Sequence, residues 1–294
     1  TSRVGILERR TVLPLDYIRT TYNQDLRAGE EAALLSNAQT GAKAAEVALA
    51  RAGISASDVG MVIAGGCSPK HCIPAEAATV AAQLGLEVPA FDLHAACSTF
   101  GAHMHFCRQL GDALPDYVLC LALENNTRVV NYRDRATCVL WGDASAAAVI
   151  SNRHPGKLRV AASTFGGAPS GALDVVVPRT GFFAQNGAKV QKFAIKRMTE
   201  LVKRCLAEAP EATYVGHQAN LTMLKSVAKR CGLAARHWHN IEHFGNQGAA
   251  GAPTVVSQRW DELRPGQALA LVVVGSGLSW ARLTLEVTDF AAPQ

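Results

Sequence analysis

The stretch Phe91-Asp92-Leu93-His94-Ala95-Ala96-Cys97-Ser98-Thr99-Phe100 sets a thiol where a strand over residues 88–93 gives way to a helix over residues 98–110. The first N–H groups of a helix have no intrahelical partners and carry partial positive charge, which favours a thiolate. Ala95 and Ala96 leave room beside the sulfur for a substrate. By itself, a cysteine after a strand is more often a packing residue than a nucleophile.

Three further junctions follow the same plan. Tyr214-Val215-Gly216-His217-Gln218-Ala219-Asn220 ends a strand and begins a helix, with an imidazole at the joint. A neutral His there can donate to a carbonyl oxygen, although a His satisfied in a turn fits equally well. His243-Phe244-Gly245-Asn246-Gln247-Gly248 offers a carboxamide, which serves either as a helix cap or as a donor to a developing oxyanion. Val274-Gly275-Ser276-Gly277-Leu278-Ser279-Trp280 is a glycine-rich turn after an apolar strand. Such a turn is common between strands, and its N–H groups could also meet an oxyanion.

Around these joints, strands and helices alternate. Apolar spacing predicts a helix over 30–52 closed by Gly53, then a strand over 59–64. Pro74 opens the next helix, and a strand over 117–123 follows. A strand over 143–151 is expected to pair with one over 158–163. The second part holds helices over 189–207, 221–231 and 246–263, the last irregular at Pro253, with strands over 214–216, 268–274 and 281–287. Near-continuous apolar strands imply sheets covered on both faces, hence an α/β body. No internal repeat or Pro/Ser linker separates the parts.

Composition narrows the function. At 49% apolar residues, the chain can build a large core. A net charge of +5 with scattered basic residues excludes the concentrated stripe of a nucleic-acid binder. The cluster Lys225, Lys229 and Arg230 reads as a solvated helix face or as a docking patch for an acidic partner. Eight dispersed cysteines without a CxxC pair and dispersed histidines argue against a metal site, and suggest a reducing compartment. Residues 1–10 have no apolar core of a secretion signal, and no run is long enough to span a bilayer, so a cytoplasmic protein is expected.

Taken in order, Ala95-Ala96-Cys97, Gly216-His217-Gln218-Ala219-Asn220, Gly245-Asn246 with Ala249-Ala250, and Gly275-Ser276-Gly277 before Trp280 resemble the thiolase-fold condensing enzymes, in particular the ketoacyl-acyl-carrier-protein synthase III group. Leu140-Trp141-Gly142-Asp143-Ala144 is similar to that family's Gly-Asp strand segment, and the likeness covers nearly the whole chain. The resemblance implies five α-β-α-β-α layers made of two similar βαβ-rich halves, residues 1–163 and 164–294, in a homodimer. It implies acylation of Cys97 and then decarboxylative condensation with a malonyl thioester, whose carbonyl accepts from His217 and Asn246. The N–H groups of Cys97 and Gly277 would form the oxyanion hole, and Ile73, Phe244 and Ser276 would shape the substrate pocket, with Ile73 reaching the partner subunit. Lys225, Lys229 and Arg230 would dock the carrier protein. Acyl-CoA and carrier-bound thioesters would be substrates, and no cofactor or metal is implied. Asn246 in place of a second His separates the chain from the other elongating synthases, and the absence of a Cys after Cys231 separates it from thiolases.

Departures suggest a specialised relative. Family members place a further strand and helix ahead of the segment matched by residues 3–10. The stretch 11–37 is longer than in a housekeeping synthase, and Thr222 stands where a basic residue is frequent. Acyl transfer to an alcohol, an amine or a β-keto thioester is therefore the alternative reaction, and a non-catalytic subunit of a heterodimer the third possibility.

Overall fold

Two sheets are stacked with helices between and outside them in a computed structural model that describes residues 4–290. Residues 1–3 of the opening segment lie outside the described residues. The chain begins with α1 (Leu15–Thr21), α2 (Leu26–Ala32) and α3 (Asn37–Ala52). It continues through β1 (Met61–Gly65), α4 (Glu76–Gln83), β2 (Ala90–Asp92), α5 (Thr99–Leu110), β3 (Val118–Glu124) and β4 (Ala144–Ile150). Next come β5 (Leu158–Gly167), a small hairpin of β6 (Val175–Val176) and β7 (Ala184–Gln185), and α6 (Gly187–Glu208). The last part is β8 (Thr213–Gly216), α7 (Leu221–Arg230), β9 (His237–Trp238), α8 (Ile241–Phe244), α9 (Gly251–Gln258), β10 (Ala268–Gly275) and β11 (Ser279–Val287).

The sheet orders are β2-β1-β3-β4 and β5-β11-β10-β8-β9. In the first, β1 runs parallel to β2 and β3, and β4 antiparallel to β3. In the second, β8 runs parallel to β9 and β10, and β11 antiparallel to β10. The halves therefore share one plan, and the second adds β5 beside β11. Helices α5 and α9 pack between the sheets, α3 and α4 cover the first sheet, and α6 covers the second with α7 beside it. All of β3 is buried, as expected for a strand with helices on both faces. The five expected layers are present, with apolar cores around Leu121 and Val80 outside, Phe100 and Leu283 between the sheets, and Met198 and Leu224 on the far side.

Three expectations need correction. The helix over 30–52 is two helices, because Ser36 and Gln39 form a capping box that starts α3 afresh. Gly53 closes α3 in the left-handed conformation, as the sequence indicates. The strand over 158–163 does not pair with the one over 143–151. The turn between them crosses the end of α5, where Asn152 Nδ2 donates to the Cys107 and Gly111 carbonyls at 3.0 Å each, and β5 joins β11 in the other sheet. The helix over 246–263 is only α9, flanked by short turns, and Pro253 sits in its first turn, where it is compatible with helix. The division at residue 163 falls inside β5, so sheet membership changes between Ile150 and Leu158.

The long stretch ahead of α3 forms α1 and α2, which lie against the loop after β3. Buried Arg128 holds this arrangement: Nε donates to the Asn125 carbonyl and Nη2 to the Ser68 carbonyl, both at 2.9 Å, while Nη1 pairs with Glu30 of α2. Removing the guanidinium takes the donor from the Asn125 carbonyl and leaves Glu30 with only Lys70, 3.6 Å away, and the Ser68 carbonyl with only Asn37 Nδ2 at 3.4 Å. Arg128→Ala should lower unfolding stability in urea by about 3 kcal/mol, and a loss under about 1 kcal/mol would contradict this role.

Candidate active site

Cys97 stands in a single tight turn, Ala96–Ser98, that leads into α5. Ala96 before it has a φ of 48°, a conformation that L residues adopt at a cost. The turn is held by the hairpin between β10 and β11. The Ser98 and Ser279 hydroxyls are 2.5 Å apart, and Ser279 Oγ donates to the Ala95 carbonyl at 3.2 Å. Gly275 makes this approach feasible: a Cβ there would lie 2.8 Å from Ser98 N and 2.9 Å from Cys97 N, both backbone atoms that cannot swing aside. Gly277 lies in the same hairpin with a φ of 123°.

His217 follows β8, with its N–H bonded to the Val272 carbonyl on the neighbouring β10. It is 5% exposed, and its Nδ1 is buried with no hydrogen-bond partner. Asn246 is 7% exposed, and its Oδ1 accepts from the Gly248 N–H at 3.0 Å. That bond fixes the amide so that its –NH2 is the group left to face a substrate oxygen. A buried polar chain joins these two turns. Gln218 Oε1 accepts from Asn240 N, Asn240 Nδ2 donates to Thr254 Oγ1, and Thr254 Oγ1 donates to Gln247 Oε1. The turn Gly248–Ala250 also packs on the Cys97 turn. The turns carrying the sulfur, the imidazole and the carboxamide, after β2, β8 and α8 respectively, thus meet at one place, with Cys97 7% exposed.

The electrostatics favour a nucleophile at Cys97. A hydrogen bond with the Cys67 thiol, and after it the charge and hydrogen bond of the His217 imidazole, hold the Cys97 thiol well below its usual range against the opposing effect of burial. The same contact, with burial, pushes Cys67 well above it. Glu124, at the end of β3, is fully buried. Its carboxyl accepts from the N–H groups of Cys67 at 3.0 Å and Ala249 at 2.7 Å, and from Asn126 Nδ2 at 2.7 Å. Burial first, and then the charge at Cys97, raise it to about 8.

Beside Cys97 opens a cavity of about 290 Å³, lined by Cys67, His94, Trp141, Phe183 and Ser276 among others. One water occupies about 30 Å³ in the liquid, so this space holds on the order of ten non-hydrogen atoms, enough for a short acyl chain. Phe183, next to the β6–β7 hairpin, meets Trp141 edge-on at 4.7 Å and closes the wall. Ser276 lines the cavity. Ile73 is 86% exposed and outside its own chain's cavity, and Phe244 is also outside, beneath the Arg10 guanidinium. Lys225, Lys229 and Arg230 are exposed on α7. Arg230 borders a groove of about 640 Å³ that also carries Lys192 and Lys196 of α6, two cations the sequence reading leaves out. Cys67 and Glu124 escape that reading as well. The available signal for Cys67 is Gly65-Gly66 just ahead of it at a strand end, which parallels Gly216 ahead of His217.

Residues 91–169 match the family model 3-oxoacyl-[acyl-carrier-protein (ACP)] synthase III, and residues 211–287 match its C-terminal model. A beta-ketoacyl-[acyl-carrier-protein] synthase III from Chlamydia trachomatis serovar D is 31% identical over 310 residues, covering 97% of this chain and 89% of that protein. The crystal structure of 3-oxoacyl-[acyl-carrier-protein] synthase III from Aquifex aeolicus superposes with a TM-score of 0.84 at 26% identity, covering 96% of this chain and 88% of that one. The synthase III from Thermus thermophilus gives 0.77 at 29% identity, over 87% and 85% of the two chains.

Two outcomes follow from the geometry. Iodoacetamide at pH 7 should label buried Cys97 faster than exposed Cys72, as read by peptide mass spectrometry, because the thiolate is the reactive form; Cys72 labelling first would contradict it. Gly275→Ala should displace the Cys97 turn and slow Cys97 labelling at least tenfold, an order-of-magnitude expectation for a shift of the backbone beside the sulfur; labelling at the wild-type rate would show that the turn tolerates a Cβ.

Proposed function

Because the chain belongs to the beta-ketoacyl-[acyl-carrier-protein] synthase III family, we propose that Cys97, His217 and Asn246 are the catalytic residues of its condensation. The protein is an acyltransferase that joins an acyl group to a malonyl thioester by decarboxylative Claisen condensation. The Cys97 thiolate attacks the carbonyl of an acyl thioester, the new S–C bond forms as the bond to the donor sulfur breaks, and the donor leaves as a thiolate that takes a proton from solvent. The malonyl thioester then enters, and its carbonyl oxygen accepts hydrogen bonds from His217 and the Asn246 amide. Both donors are fixed before the reaction, so they favour the enolate that appears as carbon dioxide departs. The enolate carbon attacks acyl-Cys97, and the N–H groups of Cys97 and Gly277 receive the tetrahedral oxyanion. Collapse releases the β-ketoacyl thioester and restores the thiolate. No cofactor takes part; the thioesters themselves are the substrates.

The observation that supports this assignment is the meeting of three buried turns, after β2, β8 and α8, one carrying Cys97, one presenting an imidazole with an unpaired nitrogen and one an amide with only its –NH2 left over. The carrier protein is acidic in this reading. Lys192 and Lys196 of α6 with Lys225, Lys229 and Arg230 of α7 would receive it, at the groove between those helices. The protein works as a cytoplasmic homodimer, with Phe91 on the open edge strand β2 and Ile73 in the loop ahead of α4 as exposed apolar side chains for the partner to cover. Two thiolase-like halves, which meet in the connection between β4 and β5, act together, one supplying the nucleophile and the other the two donors. Among the described residues, no helix is long and apolar enough to cross a membrane.

Purified protein given acyl-CoA and malonyl-carrier should release carbon dioxide and form a β-ketoacyl thioester. Cys97→Ala should abolish both acylation and condensation. Asn246→Ala should leave Cys97 acylation in place and slow condensation by about 100-fold or more. Acylation of Cys97 without carbon dioxide release would remove the decarboxylative reading and leave transfer to another acceptor.

A further inference from the structure

Cys67 Sγ lies 3.5 Å from Cys97 Sγ, although 30 positions separate them in the chain. Both thiols are free of disulfides. The backbone enforces the approach. Gly66 has no space for a side chain, since a Cβ would lie 2.1 Å from the Leu123 carbonyl oxygen. The chain leaving β1 is therefore pressed onto β3, where the Cys67 N–H donates to Glu124 Oε2. The next residue is fixed too. Ser68 Oγ donates to Asn126 Oδ1 at 2.6 Å, and the Ser68 carbonyl accepts from Arg128.

Topology gives a second, independent argument. β1 and β8 hold the same position in the two sheets. The turn after β8 delivers His217, and the turn after β1 delivers Cys67. Each half thus sends one side chain toward Cys97 from an equivalent place. On one side it is an imidazole, on the other a thiol.

We propose that Cys67 is a further catalytic residue, whose S–H donates a hydrogen bond to the Cys97 thiolate and holds the nucleophile in its reactive form. This rests on the reading of Cys97 as the nucleophile. The titratable groups around the sulfur pair are the His217 imidazole after β8, the Glu124 carboxyl at the end of β3, and the His94 imidazole after β2. His94 is engaged elsewhere, with Asp92 3.4 Å from one ring nitrogen and Gly66 backbone at the other. Glu124, raised to about 8, is mostly protonated at neutral pH and adds little negative charge beside the thiolate. Cys67 and His217 remain as the side chains able to offer a hydrogen to the sulfur anion.

The same bond serves both halves of the reaction. During acylation it maintains thiolate at neutral pH. During condensation Cys97 is the leaving group, and a thiol with a low pKa leaves faster. Atoms and charge are unchanged by it: the Cys67 proton stays on Cys67 throughout.

The test is the pH dependence of Cys97 alkylation by iodoacetamide, localised by peptide mass spectrometry in the full chain without any acyl substrate. Cys67→Ala should raise the alkylation midpoint by about one to two pH units. Cys67→Val removes the donor while filling the space, and should show the same rise if the alanine variant does not fold. Cys67→Ser restores an O–H donor and should recover at least half of the shift. A midpoint unchanged in the donor-free variants, or a serine variant indistinguishable from them, would overturn the proposal. If wild-type Cys97 itself fails to label at low pH, it is the nucleophile assignment that falls, so the two failures are told apart.

Discussion

The structure depends on one packing constraint: α5 and α9 share the narrow layer between two sheets, so the turns that start them must lie against each other. α5 begins behind Cys97 and α9 behind Asn246, at matching points of the two halves. Small residues fill these starts, Ala95 and Ala96 in one and Ala249 and Ala250 in the other, and larger ones would force the layers apart. His217 arrives from the end of β8 with its backbone bonded to β10, and that same β10 packs on the Cys97 turn. Positions far apart in the chain therefore become one site without any long loop having to carry them. Sites at the carboxyl ends of parallel strands are a general consequence of such α/β architecture.

Much of this was legible in the sequence because local signals and burial point the same way. β10, and β3 up to Glu124 at its end, are apolar runs that read as strands with helices on both faces, and the strand-turn-helix joints at Cys97 and His217 carry their own punctuation in small and polar residues. The misreadings have physical origins. Residues 30–35 continue the apolar spacing of α3, and only the Ser36–Gln39 cap interrupts it. β4 and β5 are neighbours in sequence with strand-like composition, but whether a connection makes a hairpin or crosses to another sheet is decided by what it passes over, here the end of α5. That information is tertiary and has no local imprint. Ser276 lines the cavity because it shares a hairpin with the glycines beside Cys97, whereas Phe244 lies under Arg10, just before α8 ends at Gly245.

Cys67 and Glu124 were hidden for a different reason. Beyond the two glycines ahead of Cys67, neither is marked by its local sequence, and both meet their partners through neighbours distant in the chain. Glu124 is a fully buried carboxyl that ties the Cys67 backbone to the start of the Asn246 turn through Ala249. It thereby links the two halves across the site, and the absence of a side chain at Gly248 makes room for it. A buried carboxyl is costly unless hydrogen-bonded, and three donors meet this one. The polar groups around Cys97 form a connected set, in which a change to one is felt as a displacement of others.

The most direct measurement is a crystal structure of the protein with a non-hydrolysable malonyl-CoA analogue whose thioester sulfur is replaced. The account predicts the analogue's carbonyl oxygen within hydrogen-bond distance of both a His217 ring nitrogen and Asn246 Nδ2, with its reacting carbon facing the Cys97 sulfur. A carbonyl bound elsewhere, or either donor turned away into the packed core, would contradict it.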